Sequence, residues 1–151
     1  EDGKNGCGRV EDGILKERVL EWMEATGGSA YTYTISGQGH GAYPEEEVLE
    51  VPVIEVSGAD TDAENNQWED YVNQLYEMDQ FVGELIQALE DTGEEVVLVM
   101  YGDHLQTMGL KAEDMKNRYL FRTKYEIWDN IVMEKADENQ ASYQIAAEVL
   151  D

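Results

Sequence analysis

Apolar residues recur at helical spacing in two stretches of the chain and crowd together in a third. Over 11–26, Ile14, Leu15, Val19, Trp22 and Met23 share one helical face, and Gly27-Gly28 ends the stretch as a C-cap does. Over 68–89 the stripe is longer, running Trp68, Tyr71, Val72, Leu75, Val82, Leu85, Ile86 and Leu89, and Gly93 stops it. Asp79 interrupts this stripe between Leu75 and Val82, where a carboxylate is unexpected. Two roles are open to it: a buried hydrogen bond with backbone, or orientation of a metal shell. Trp22, Trp68 and Trp128 lie in periodic segments and are expected in the core.

Strands are expected at 30–35, rich in Thr and Tyr, at 96–101 and at 124–128. Val96-Val-Leu-Val-Met-Tyr101 is a continuous apolar run, the pattern of a strand buried on both faces. Residues 48–56 alternate, but Pro52 makes them an edge or an irregular extended stretch. The acidic stretch 57–67 reads as a loop, as does 36–44, with Gly37, Gly39 and Gly41. A helix over 142–150 closes the chain. Helix, strand, helix, strand, strand, helix predicts an α/β fold: a layered, mostly parallel sheet with helices on both faces. It is read as a single domain over 1–151, with the glycine-rich 1–10 disordered.

Charge changes the picture of the surface. The chain has 34 Asp or Glu against 10 Lys or Arg, a net charge of −24 over 151 residues. Such an imbalance marks a disordered tail when apolar content is low. Here three Trp and nine Tyr sit largely within the periodic segments, so the reading is a folded domain with an acidic surface. With no Lys/Arg cluster, nucleic acid is excluded as a partner. The longest apolar run is far short of the roughly 20 residues that span a bilayer. The start lacks a basic region followed by an apolar one, so no signal peptide is expected. Cys7 alone excludes an internal disulfide and a multi-cysteine zinc site, and it reads as an exposed thiol. The runs Glu45-Glu46-Glu47 and 60–64 read as solvated faces without the spacing of a calcium loop.

Candidate chemistry falls at strand ends, where α/β sheets bind ligands. The chain has two histidines, and each follows an expected strand: His40 after 30–35 and His104 after 96–101. If those strands are parallel, both histidines share one rim. Asp103-His104 offers a carboxylate oxygen and an imidazole nitrogen, a pair suited to a divalent ion. Equally, Asp103 could cap the following turn while His104 makes a surface hydrogen bond. Thr107 either approaches this rim or is a loop hydroxyl.

Tyr101-Gly102-Asp103-His104 after an apolar strand resembles the metal motif of the sulfatase/alkaline phosphatase superfamily, in its lipoteichoic acid synthase and phosphoglycerol transferase branch. Thr32-Tyr-Thr-Ile-Ser36 leading to His40-Gly41-Ala42-Tyr43-Pro44 is similar to that family's strand and T-x-S-x-H-x-P-Y loop, with Ala42 where relatives often have proline. The stretch 71–89, with Tyr76 and Asp79, resembles the helix before the metal strand, and 124–130 resembles the entry to the next strand. The similarity runs over about 11–150.

This resemblance implies an alkaline phosphatase-like fold, present here in its carboxyl-side part. It implies that Asp103 and His104 ligate a catalytic divalent metal, Mn²⁺ first, with Zn²⁺, Mg²⁺ and Ca²⁺ as alternatives. His40 would contact the phosphate of a phosphoglycerol-type lipid or glycan substrate. The nucleophile, a Thr or Ser that forms a covalent intermediate, would lie upstream of this chain, so no catalytic residue is expected within it. Upstream transmembrane helices would hold the enzyme on the extracellular side of the bacterial cytoplasmic membrane. The competing reading is a non-catalytic acidic interaction module with a basic partner.

Overall fold

The computed structural model describes residues 10–106 and 108–150. The expected disorder of the first residues, Cys7 and Thr107 lie outside this range, Val10 excepted. Helix α1, Gly13–Thr26, occupies the expected stretch and ends at Gly27 in the left-handed conformation, φ 61°. Its start is tied to the loop that follows it. The backbone N–H of the buried Asp12 donates to Gln38 Oε1 at 2.7 Å, and Ser36 Oγ donates to Asp12 Oδ2 at 2.6 Å.

Helix α2, Asp62–Thr92, is longer than the apolar stripe predicts, 31 residues against an expected start near Trp68. The stretch 57–67 is therefore a loop only to Thr61. A capping box sets the earlier start: Thr61 Oγ1 accepts from Glu64 N at 3.1 Å, and Glu64 Oε2 accepts from Thr61 N at 3.1 Å. Two orphan amides at the helix start are thereby satisfied, and polar residues 62–67 can be helical without an apolar face. Gly93, φ 71°, ends the helix where expected. Helices α1 and α2 touch, bridged at the surface by Lys16 and Glu84 at 2.5 Å.

Strand β1, Val97–Tyr101, pairs with β2, Tyr125–Asp129, in an antiparallel register from Val97↔Asp129 to Tyr101↔Tyr125. The expected mostly parallel layered sheet is not what the described residues form: the observed sheet has two strands, and they run in opposite directions. A parallel pair needs a crossover that carries the chain back across the sheet, usually a helix. Between β1 and β2 the described residues form one short helical turn, Ala112–Asp114, and the chain simply returns.

The stretch 30–35 joins no ladder, and Tyr31, Tyr33 and Ile35 are 82%, 62% and 75% exposed. The stretch 48–56 is not a strand either. Its backbone is held by α2 side chains: Val53 and Ile54 N–H donate to Asn73 Oδ1 at 2.9 and 3.1 Å, and Val56 N–H donates to Glu69 Oε2 at 2.9 Å. The closing helix is a turn, Ser142–Gln144, leading into α3, Ile145–Leu150.

Among the described residues the buried apolar side chains are Tyr43, Leu85 and Leu89. Trp22, expected in the core, is 65% exposed, while Trp68 and Trp128 are half-buried. Asp79 is exposed, which removes the buried hydrogen bond expected of it; the buried carboxylate of α2 is Asp70, nine residues earlier. Strand β1 is half-buried rather than covered on both faces, because no second layer lies over it among the described residues. The accessible surface, 11504 Å², exceeds the roughly 7,800 Å² typical of a folded monomer of this mass.

Candidate metal centre

Strand β1 delivers Gly102-Asp103-His104 to the end of the two-stranded sheet. There the start of β2 grips Gly102 from both sides of its peptide. Gly102 N–H donates to Lys124 O at 3.1 Å, and Thr123 Oγ1 donates to Gly102 O at 2.6 Å. Asp103 folds its carboxylate back onto the chain, Oδ1 accepting from His104 N–H at 2.8 Å. This is the cap-like role that the sequence left open, but it uses one oxygen only. The other, Oδ2, lies 3.8 Å from His104 Nε2.

His104 Nδ1 is 2.8 Å from the Leu105 carbonyl oxygen. A carbonyl can only accept, so Nδ1 is the donor, and Nε2 is the ring nitrogen that faces Asp103 Oδ2. Metal-binding histidines are held in this way, with the remote nitrogen donating to a carbonyl and fixing the tautomer.

His40 arrives on the 36–44 loop. The loop closes on itself through His40 N–H to Gly37 O at 3.3 Å and through the Tyr43 hydroxyl, which donates to Gly39 O at 2.9 Å. The Tyr43 ring is buried and packs edge-on against Tyr71 of α2 at 5.4 Å. Gln67 Nε2 donates to Tyr43 O at 3.2 Å, and Asn66 Nδ2 to Glu45 O at 2.8 Å. The histidine loop is thus fastened to the same helix that precedes β1. Ala42 adopts φ 73°, a value closed to proline, whose ring holds φ near −65°. The departure at this position therefore comes with a loop shape that a proline could not take.

The imidazoles of His40 and His104 meet edge-on, centroids 5.7 Å apart and planes at 87°. The structure so brings together His40, Asp103 and His104, the three residues singled out by the sequence, from segments more than 60 positions apart. All three are exposed. Parallel strands are not what does it: the loop is placed by α2 and by contact between Tyr33 and Tyr101, whose hydroxyls are 3.0 Å apart. That hydrogen bond holds the Tyr101 phenol above its usual pKa. Thr123 was not legible as a neighbour of the rim, since it carries an ordinary strand-forming side chain.

Among the described residues no group of three or more His, Cys, Asp or Glu is arranged to hold a metal ion. Asp103 and His104 nonetheless fit as two members of a ligand set. A carboxylate oxygen and an imidazole nitrogen face each other across a gap too wide for a hydrogen bond, and two metal–ligand bonds of ~2.0–2.2 Å can span it. Carboxylate with imidazole suits Mn²⁺ and Zn²⁺.

The family model that matches this chain is Sulfatase, over residues 1–151, and the chain belongs to the sulfatase family. Sulfatase-family enzymes generally use a divalent metal. No curated protein and no solved structure matches the chain.

Proposed function

We propose that this chain forms the Asp-His side of the catalytic centre of a metal-dependent phosphoglycerol transferase or sulfatase-like hydrolase, in the lipoteichoic acid synthase-like branch of the superfamily. The observation that carries this reading is the convergence of His40 on Asp103 and His104 at one rim, with the His104 tautomer fixed by Leu105. Asp103 Oδ2 and His104 Nε2 hold the divalent ion, Mn²⁺ first. Bound there, it lowers the pKa of a coordinated hydroxyl and neutralises charge on the group being transferred. The nucleophile is a Thr or Ser hydroxyl supplied from outside this chain; it attacks the phosphorus or sulfur, the substrate's alcohol leaves with a proton, and water or an acceptor alcohol then resolves the covalent ester.

His40 stands beside His104 without taking part in its hydrogen bond to Leu105, so its ring is available to the substrate. Protonated, it donates to a phosphate or sulfate oxygen and offsets its charge. The Tyr43 anchor keeps that ring at the rim when substrate is absent. The substrate is a phosphoglycerol-type lipid or glycan, and the site works on the outer side of the bacterial cytoplasmic membrane.

A thermal-shift titration with MnCl₂ tests the reading. Ligand at about 100 times its Kd stabilises a protein by about 2.7 kcal/mol, so the melting temperature of the wild-type chain rises by several degrees. Asp103→Ala and His104→Ala are expected to abolish the rise. Equal shifts in wild type and variants, or none in any of them, would reject the metal centre and leave the acidic interaction module as the better reading.

A further inference from the structure

Thr123 is two residues before β2 and belongs to none of the motifs above, yet its side chain bonds the residue that immediately precedes the Asp-His pair. Its hydroxyl donates to the Gly102 carbonyl at 2.6 Å, and a Cβ added to Gly102 would lie 3.4 Å from Thr123 Cβ, so the side of Gly102 where a side chain would stand faces Thr123. Gly102 N–H is held by the next residue, Lys124, through its carbonyl. Both polar groups that flank the Gly102 α-carbon are therefore tied to the two residues that lead into β2. The peptide that follows, between Gly102 and Asp103, inherits that orientation.

The ladder alone does not achieve this. The register ends at Tyr101↔Tyr125, and the Gly102 peptide lies one position beyond it. Glycine has the widest backbone freedom of any residue, so a glycine just outside a ladder would let Asp103 swing. Beyond Asp103 the hydrogen bonds run within the segment, Asp103 to His104 N–H and His104 to Leu105 O, and the His40 ring meets His104 edge-on. Those hydrogen bonds shape the pair without attaching it to the sheet. Thr123, with Lys124, supplies that attachment at Gly102.

We infer that Thr123 is a positioning residue for the metal ligands, its hydroxyl fixing the Gly102 carbonyl and so the direction in which Asp103 and His104 leave the sheet. This rests on the reading that Asp103 and His104 bind a divalent cation. Valine at 123 keeps the β-branched shape and removes the hydroxyl, alanine removes both, and serine restores the hydroxyl alone.

The experiment measures Mn²⁺ affinity of the full chain, following free Mn²⁺ by its electron paramagnetic resonance signal. Wild type, Asp103→Ala, Thr123→Val, Thr123→Ala and Thr123→Ser are compared, with the melting temperature of each recorded without metal. Loss of a group that orients a metal ligand weakens binding by about 10- to 100-fold. The expected result is a loss of about tenfold in Thr123→Val and Thr123→Ala, with Thr123→Ser within about twofold of wild type. Wild-type affinity in Thr123→Val and Thr123→Ala would overturn the inference and leave the metal centre standing. So would losses in all three Thr123 variants that follow their lost melting temperature, because a purely structural residue behaves that way. Failure of the wild type to bind, or binding by Asp103→Ala as tight as wild type, would overturn the metal centre and this inference together.

Discussion

Glu77 shows how a single side chain feels the whole surface. It lies where α1, the 36–44 loop and α2 meet, and it accepts a hydrogen bond from Gln38 Nε2. Its pKa is raised above the usual carboxylate value, first by burial and then by the negative charge of Glu11, with Asp70 adding a little; the Gln38 contact pulls the other way. A raised folded-state pKa means that the folded protein favours the neutral acid. The stabilising contribution is complete below about pH 4.5 and is lost as pH rises through the folded-state pKa, so at neutral pH the ionised group opposes folding. Glu77→Gln keeps an acceptor for Gln38 and removes the charge. Because the residue is partly exposed, the gain is small: a melting temperature about 1–2 °C higher at pH 7, with the difference gone at pH 4, checked by calorimetry at both values.

Also at the residue scale, the misplacement of the buried carboxylate is instructive. Periodicity located Asp79 on the apolar stripe, but the buried polar residues of α2 are Asp70, Asn73 and Gln74, and Leu75 on the stripe is 49% exposed. Apart from the Tyr43 ring on Tyr71, the amino-terminal half of α2 meets little apolar surface. It faces irregular backbone from 43–56, and such backbone needs hydrogen-bond partners rather than methyl groups. A pattern rule that assumes an apolar partner reads the wrong face there.

Among the elements, Asn73 holds more of the fold than any apolar residue in its turn. Its Oδ1 accepts from Val53 and Ile54, and its Nδ2 donates to Ile54 O and Glu69 O, both at 2.8 Å. Asn73→Leu would leave those backbone groups to water or unpaired. A loss of about 1–3 kcal/mol in urea unfolding is expected. Limited proteolysis should then cut within 48–56 faster than in wild type, and an unchanged cleavage rate would show that the stretch is held by something else.

The extent of α2 was legible in principle, since Thr61-Asp-Ala-Glu64 has the spacing of a capping box. The failure of 30–35 to form a strand was not. Thr and Tyr favour a pleated surface, but propensity cannot make a ladder without a neighbour to pair with.

For the molecule as a whole, charge dominates. Against a net charge of −24, the Lys/Arg ion pairs formed among the described residues are Lys16–Glu84 and Arg18–Glu21, both at the surface. Self-repulsion is therefore strong, and the attraction that salt would screen is slight. Raising ionic strength from 0.01 to 1 M shortens the screening length from about 30 to about 3 Å. The melting temperature should climb by several degrees in NaCl over that range, and a fall would mean that attractive pairs outweigh the repulsion. Divalent cation at the Asp103-His104 rim would add to this, so the salt series belongs in metal-free buffer.

The sequence by itself determined the elements whose signals are local. Helix α1, most of α2, β1, β2 and the closing helix follow from periodicity, glycine stops and a short apolar run, each of which acts within a few residues. It also determined which residues could carry chemistry, because two histidines and one Asp-His pair leave few choices, and the match of the whole chain to the sulfatase family agrees with the superfamily that they suggested. Only the tertiary structure decided strand direction, the burial of Asp70 in place of Asp79, the exposure of Trp22 and the meeting of His40 with His104. Those depend on which surfaces face each other. Contacts such as Tyr33 with Tyr101 and Thr123 with Gly102 join positions 68 and 21 residues apart, and spacing along a chain has no means of expressing them.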